Sequence, residues 1–173
     1  MYKKIIIPLI LISGVYADDD RWGNRNDVAP VKNAIYIKEC GSCHFAYQPG
    51  LLPQRSWTKM MGNLENHFDS DASLDDATTK YLANYLKANS AEKGIEYKRS
   101  RKILQSIRPN EVPLRITQTR YFINKHDEIP KKMIIQKEVG SLANCTACHT
   151  TANKGNYSER AIKIPNYRAW KDD

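Results

Sequence analysis

Two five-residue segments constrain this chain more than anything else in it. Cys40-Gly41-Ser42-Cys43-His44 recurs as Cys145-Thr146-Ala147-Cys148-His149, and together they use all 4 cysteines. Two thiols three positions apart sit on one helical turn, where each can add to one of the two vinyl groups of a haem. The His that follows then stands on the iron axis as proximal ligand. C-x-x-C-H is accordingly the attachment signature of c-type haem. Two other uses of cysteine pairs fit less well. Zinc ribbons bring their pairs within roughly 15–20 residues of each other, whereas Cys43 and Cys145 are 102 positions apart. A thioredoxin-like pair lies beside a βαβ pattern, and none is visible. The sequence therefore predicts two covalently bound haem c groups (iron), held by Cys40, Cys43, Cys145 and Cys148, with His44 and His149 as proximal ligands.

The start of the chain predicts where that attachment takes place. A short basic segment, Met1-Tyr2-Lys3-Lys4, precedes an apolar run from Ile5 to Val15, and Val15-Tyr16-Ala17 offers small residues to a signal peptidase. Residues 1–17 read as a cleaved secretory signal peptide. The run is shorter than the roughly 20 residues a membrane span needs, so the mature chain is expected not to span a membrane. Export to the periplasm of a Gram-negative bacterium suits the cysteines, because c-type haem is attached outside the cytoplasm there.

Charge and composition divide the mature chain into two expected haem domains, 18–99 and 100–173. Residues 18–99 carry 11 basic and 12 acidic side chains, net −1, and residues 100–173 carry 14 and 7, net +7. Such asymmetry bears on partners and not on fold. The boundary falls at the charged run Lys98-Arg99-Ser100-Arg101-Lys102, read as a solvated linker or helix face. Nothing in it points to nucleic acid. Residues 18–27 are polar and expected to be loose.

In the first half, Ala29 to Cys40 is expected to be a helix opening on Pro30 and delivering the chain into the first motif. A backbone carbonyl within Pro49-Gly50-Leu51-Leu52-Pro53 is a candidate acceptor for the Nδ1–H of His44, the alternative being an ordinary turn. Ser56 is the expected N-cap of a second helix. Trp57, Met60, Met61, Leu64, His67 and Phe68 follow on one face of it, so His67 points with the apolar residues towards an iron that needs a sixth ligand. Ser73-Leu74-Asp75-Asp76 resembles a capping box before a third, amphipathic helix.

The second half is less regular. Ile103, Leu104 and Ile107 predict a short helix stopped by Pro109. Arg115 to Ile123 reads as extended or as a short helix, with His126 just beyond. Ser141 to His149 is expected to be a helical turn. Tyr157, Tyr167 and Trp170 are candidates to cover haem edges. Neither Met nor His follows His149 in the given sequence, so the second haem is expected to be completed from earlier in the chain or left five-coordinate. Of the 4 histidines, His67 lies 23 residues after His44 and His126 lies 23 residues before His149. These two are the candidate distal ligands, with Met60 and Met61 as alternatives at the first iron.

Several segments together resemble the dihaem cytochrome c family of proteobacteria. They are Glu39-Cys-Gly-Ser-Cys-His-Phe-Ala-Tyr-Gln-Pro-Gly-Leu-Leu-Pro53, Leu64-Glu-Asn-His-Phe68, Arg115-Ile-Thr-Gln-Thr-Arg-Tyr-Phe122, His126 and Ala143-Asn-Cys-Thr-Ala-Cys-His149. The resemblance implies a mainly α fold, with a class I cytochrome c-like N-terminal domain and a smaller, irregular C-terminal haem domain. It also implies bis-histidine ligation at both irons and an electron carrier rather than an enzyme. Implied redox partners are an oxygen-binding monohaem cytochrome c and a membrane cytochrome b. The competing function is a dihaem enzyme, a peroxidase or small-ligand reductase, with one open iron. Dihaem peroxidases are much longer chains.

Overall fold

The structure, a computed structural model, describes residues 26–168. The expected signal peptide and Trp170 lie outside the described residues. Seven α-helices run in chain order: α1 (Ala34–Cys40), α2 (Gln54–Met61), α3 (Asp76–Ala88), α4 (Lys98–Ser106), α5 (Arg120–His126), α6 (Lys131–Ile134) and α7 (Cys145–Cys148), joined by short 3₁₀ turns. Among the described residues there is no strand, and an isolated antiparallel bridge pairs His149 with Ile162. The mainly α expectation holds.

Capping decides where these helices start, and in three places it departs from the sequence reading. α1 begins at Ala34 and not near Pro30, because the Asn33 side chain accepts the Tyr36 N–H. The preceding segment is drawn away from helix: Val28 N–H donates to Gly155 O at 3.0 Å. α2 begins at Gln54 with Pro53 as its N-cap, leaving Ser56 buried inside the helix, its hydroxyl without a partner. α3 is capped by Asp75, whose carboxylate accepts the Thr78 N–H, and not by Ser73.

Two apolar clusters hold the elements. Tyr36, Leu52, Trp57, Met61, Leu82 and Leu86 pack α1, α2 and α3 together behind the first motif. Val28, Leu51, Ile103 and Ile107 form the second cluster, with Tyr121 and Tyr157 against it. Leu82 and Leu86 are almost fully buried, and truncating a side chain of this kind to Ala costs about 2–5 kcal/mol.

The halves of the chain are stitched together beside the motifs. Buried Gln48 donates from Nε2 to Ala152 O and accepts from the Tyr157 hydroxyl, both at 2.6 Å. The Tyr47 hydroxyl donates to Ala143 O at 2.7 Å. Gly155 sits at φ 75°, and a Cβ there would meet Val28 O at 2.3 Å, so both backbone conformation and space require glycine. The basic run at 98–102 lies on α4 and not in a linker, and it is not a solvated face throughout: Ser100 is buried and the Arg99 side chain nearly so. Asp27, read as part of a loose segment, is fixed by a 3.5 Å ion pair with Arg99.

Candidate haem sites

Each C-x-x-C-H motif ends with its His facing a second His. In the first site α1 delivers Cys40, and a turn brings Cys43 and His44 round towards His67. The His44 and His67 ring centroids are 6.2 Å apart, with planes at 20°. In the second site α7 carries Cys145 and Cys148, and α5 ends on His126. The His126 and His149 centroids are also 6.2 Å apart, with planes at 68°.

That shared separation is longer than a close ring stack such as the 3.9 Å between Phe122 and His126. It fits one metal ion between two imidazoles. A ligating nitrogen lies about 2.0–2.1 Å from a first-row metal and about 1.1 Å from its ring centroid, so two rings on opposite sides stand roughly 6.3 Å apart. Among the described residues no group of three or more His, Cys, Asp or Glu gathers to hold a metal by itself. The donor set in each site is a thiol pair and two imidazoles, as a covalently attached haem needs. Met60 and Met61 pack in or against the apolar core behind the first site.

Hydrogen bonds fix the tautomer of one ring in each pair. His44 Nδ1 lies 2.8 Å from Phe45 O. A carbonyl only accepts, so Nδ1 carries the proton and Nε2 is free to ligate. The expected acceptor in the Pro49–Pro53 segment is thus replaced by the next residue along. Pro49 O is engaged instead by the Trp57 Nε1–H, at 2.8 Å. In the second site His126 Nδ1–H donates to Phe122 O at 2.8 Å, one turn back on α5, and the Phe122 ring stacks on it at 3.9 Å and 9°.

His67 is not on the helix the periodicity suggested. α2 ends at Met61, and His67 follows a 3₁₀ turn, Leu64–Asn66. It opens a tight turn: His67 N–H bonds Ser70 O at 2.8 Å, and Ser70 N–H returns to His67 O at 3.2 Å. Phe68 and Asp69 between them have φ of 54° and 70°. This is a type I′ geometry, which favours Asn-Gly. Phe68 is held there between His67, 4.7 Å away edge-on, and the Arg115 guanidinium, 3.9 Å above its ring.

Burial favours the neutral imidazole, the form that binds metal, at His67, His126 and His149. His149 is pushed down to about 4, first by desolvation and then by the nearby His126 and Arg99. His67 and His126 are also lowered, again chiefly by burial. Burial pushes the Cys40 and Cys145 thiols up to about 11. That is opposite to what a thioredoxin-like nucleophile requires. A cavity of about 330 Å³ opens beside the second pair, lined by His126, Cys145, Cys148, His149, Arg99 and Tyr157 among others. The Tyr157 ring stands 5.3 Å from that of His149, so this aromatic does cover the second site. Sequence reasoning had no signal for Arg99 beside it, since Arg99 reads as one charge in a basic run.

Residues 36–157, which span both motifs and both His pairs, match the dihaem cytochrome c family. The chain belongs to that family. It is similar to a dihaem cytochrome c from Shewanella baltica solved by X-ray methods, at 38% identity and a TM-score of 0.66, over 80% of this chain and 98% of that one. It is also similar to a dihaem cytochrome c from Rhodobacter sphaeroides, at 39% identity and a TM-score of 0.65, over 75% of this chain and all of that one. A second Rhodobacter sphaeroides structure matches at 38% identity and a TM-score of 0.60, over 74% of this chain and 99% of that one. No curated protein matches. Membership gives the chain two covalently bound haem c groups and places it in haem-based electron transfer.

Proposed function

We propose that the protein is a periplasmic electron carrier that moves single electrons through two bis-His haems. His44 and His67 ligate the first iron, and His149 and His126 the second. The attachment thiols are Cys40 and Cys43, then Cys145 and Cys148. The observation carrying this reading is the pair of 6.2 Å His–His separations, one beside each motif. An iron with two imidazoles has no position left for substrate, which favours a carrier over an enzyme. Residues 18–99 carry the first haem and residues 100–173 the second once residues 1–17 are removed at export, with Asp27 and Arg99 of the first segment reaching the second site. Consistent with that, no described helix is long and apolar enough to cross a membrane.

Redox proteins are the partners, with an oxygen-binding monohaem cytochrome c and a membrane cytochrome b as candidates. Residues 100–173 hold the excess positive charge and offer the docking face to an acidic surface. Lys131 and Lys132 are exposed on α6, whose Met133 and Ile134 wall the second cavity. Lys137 is also exposed, whereas Arg120 and Lys125 are partly neutralised by Glu111 and Glu159.

Potentiometry tests the carrier reading. His/Met coordination raises the potential of a cytochrome c, so both haems should titrate well below a Met-ligated carrier in the same buffer. Haem analysis should give two per chain, retained after denaturation. One haem per chain, or a haem titrating as high as the Met-ligated carrier, rejects the reading.

One observation favours the second reading, an open iron. His67 sits on a turn whose two central residues are in the left-handed region, which costs about 1–3 kcal/mol each. Release of His67 would relax that turn and open the first iron to a small ligand. Carbon monoxide binding by the unmodified reduced protein decides between the readings.

A further inference from the structure

A buried ion pair stands beside the second His pair, and the proposed ligation gives it no role. Asp27 and Arg99 have side chains only 16% and 13% exposed, with Nε and Oδ1 3.5 Å apart. Other charged residues line the same cavity, but the Lys125–Glu159 pair among them is about half exposed. Asp27 and Arg99 grip one residue from both ends. Tyr157 N–H donates to Asp27 Oδ2 at 2.6 Å, and Tyr157 O accepts from Arg99 Nη2 at 3.2 Å. The Tyr157 ring is the one packed on His149.

Arg99 is not saturated by these contacts. Its Nη1 donates to the Tyr121 hydroxyl, while Nε, 3.5 Å from Asp27 Oδ1, makes no hydrogen bond. A guanidinium has five N–H donors in a rigid fork matched to carboxylates. Arg99 and Tyr121 both line the 330 Å³ cavity with His126 and His149. Haem c carries two propionate carboxylates, and a carboxylate taken out of water needs a donor of this kind.

We infer that Asp27 and Arg99 form the charge regulator of the second haem, with Arg99 taking a propionate carboxylate of that haem and Asp27 tempering its charge. This rests on the bis-His reading of the second site. Reduction adds an electron to the iron, so a nearby positive charge favours the reduced form and a nearby negative charge opposes it. The two members of the pair therefore act with opposite signs. A purely structural role predicts otherwise, because losing either residue releases the same grip on Tyr157 and shifts the potential in one direction.

The test is potentiometry of the full holoprotein as parent, Arg99→Gln, Asp27→Asn and Arg99→Lys. A Cys145→Ala/Cys148→Ala variant identifies which wave belongs to the second haem. Arg99→Gln should lower the second potential and Asp27→Asn should raise it, each by about tenfold in the reduction equilibrium, or about 59 mV for one electron. Arg99→Lys should lie closer to the parent than Arg99→Gln does. The first haem should move less than the second in every variant. Shifts of the same sign, no shift, or equal shifts at both haems overturn the inference. If Arg99→Gln does not retain its second haem, Asp27→Asn decides alone, and the absence of a rise overturns it. Redox-difference infrared spectra with ¹³C-carboxyl-labelled propionates test the contact directly. A labelled band tied to the second haem should shift in Arg99→Gln, and an unmoved band removes the carboxylate contact. A parent whose second haem is high-spin would instead reject the ligation reading, which the optical spectrum reports independently.

Discussion

In the first site the ring of the motif, His44, is tied to a backbone carbonyl, and the ring opposite it, His67, hangs on a strained turn. In the second the arrangement is reversed. His126, the ring opposite the motif, is tied to Phe122 O, stacked on Phe122 and carried by α5, whose N-cap Thr119 accepts the Phe122 N–H. His149, the ring of the motif, is half-buried, its Nδ1 buried without a protein partner. The first pair lies nearly parallel at 20° and the second is strongly crossed at 68°. Equal His–His separations thus arise from unequal supports.

The largest expected effect removes a distal ring. His126→Ala should open the second iron and His67→Ala the first, and each variant should gain a high-spin signal and bind carbon monoxide. The parent should bind little. Should the reduced parent take up carbon monoxide with loss of His67 ligation, the strained turn is a gate and the two sites differ in function as well as support. If His67→Ala stays low-spin, Met60 or Met61 has taken the position.

A smaller effect separates the supports themselves, read by denaturant unfolding of the oxidised holoprotein. Asp69→Gly gives the I′ turn a residue suited to positive φ and should stabilise by about 1 kcal/mol. Thr119→Ala removes the N-cap of the helix bearing His126 and should destabilise by about 1 kcal/mol. Equal signs would show that the turn is not strained relative to the helix.

The smallest expected effect is kinetic and comes from charge. Electrons exchanged through the second haem should pass more slowly as salt rises, because the Debye length shrinks from about 30 Å at 0.01 M to about 10 Å at 0.1 M. Lys131→Glu with Lys132→Glu should slow transfer at low salt. A rate indifferent to both would move docking to the first site.

The chemistry of this chain was more legible than its geometry. C-x-x-C-H is a local covalent pattern, so both attachment sites could be read from five residues each. His67 and His126 follow from counting histidines, and the structure places their rings 6.2 Å from those of His44 and His149. How His67 gets there was not legible. Apolar spacing continued the helical period past Met61, but Gly62 and the 3₁₀ turn end the helix, and no local signal announces positive φ at a Phe. The partner of His44 was open between a carbonyl of the Pro49–Pro53 segment and none there, and Phe45 O takes the role because any carbonyl within reach satisfies the same requirement. Arg99 was hidden for a different reason: its burial depends on Asp27 and Tyr157, 72 and 58 positions away in sequence.

Low-temperature EPR of the fully oxidised protein tests the central claim most directly. Near-parallel imidazoles separate the two iron d orbitals that point between them in energy, giving a rhombic low-spin signal. Crossed imidazoles leave those orbitals nearly equal, giving a strongly anisotropic signal with one large g value. The two sites should therefore give one low-spin signal of each kind, in equal amounts, with no high-spin component. The rhombic signal should vanish in His67→Ala and the anisotropic one in His126→Ala. A high-spin signal from either haem of the parent would contradict bis-His ligation at that site.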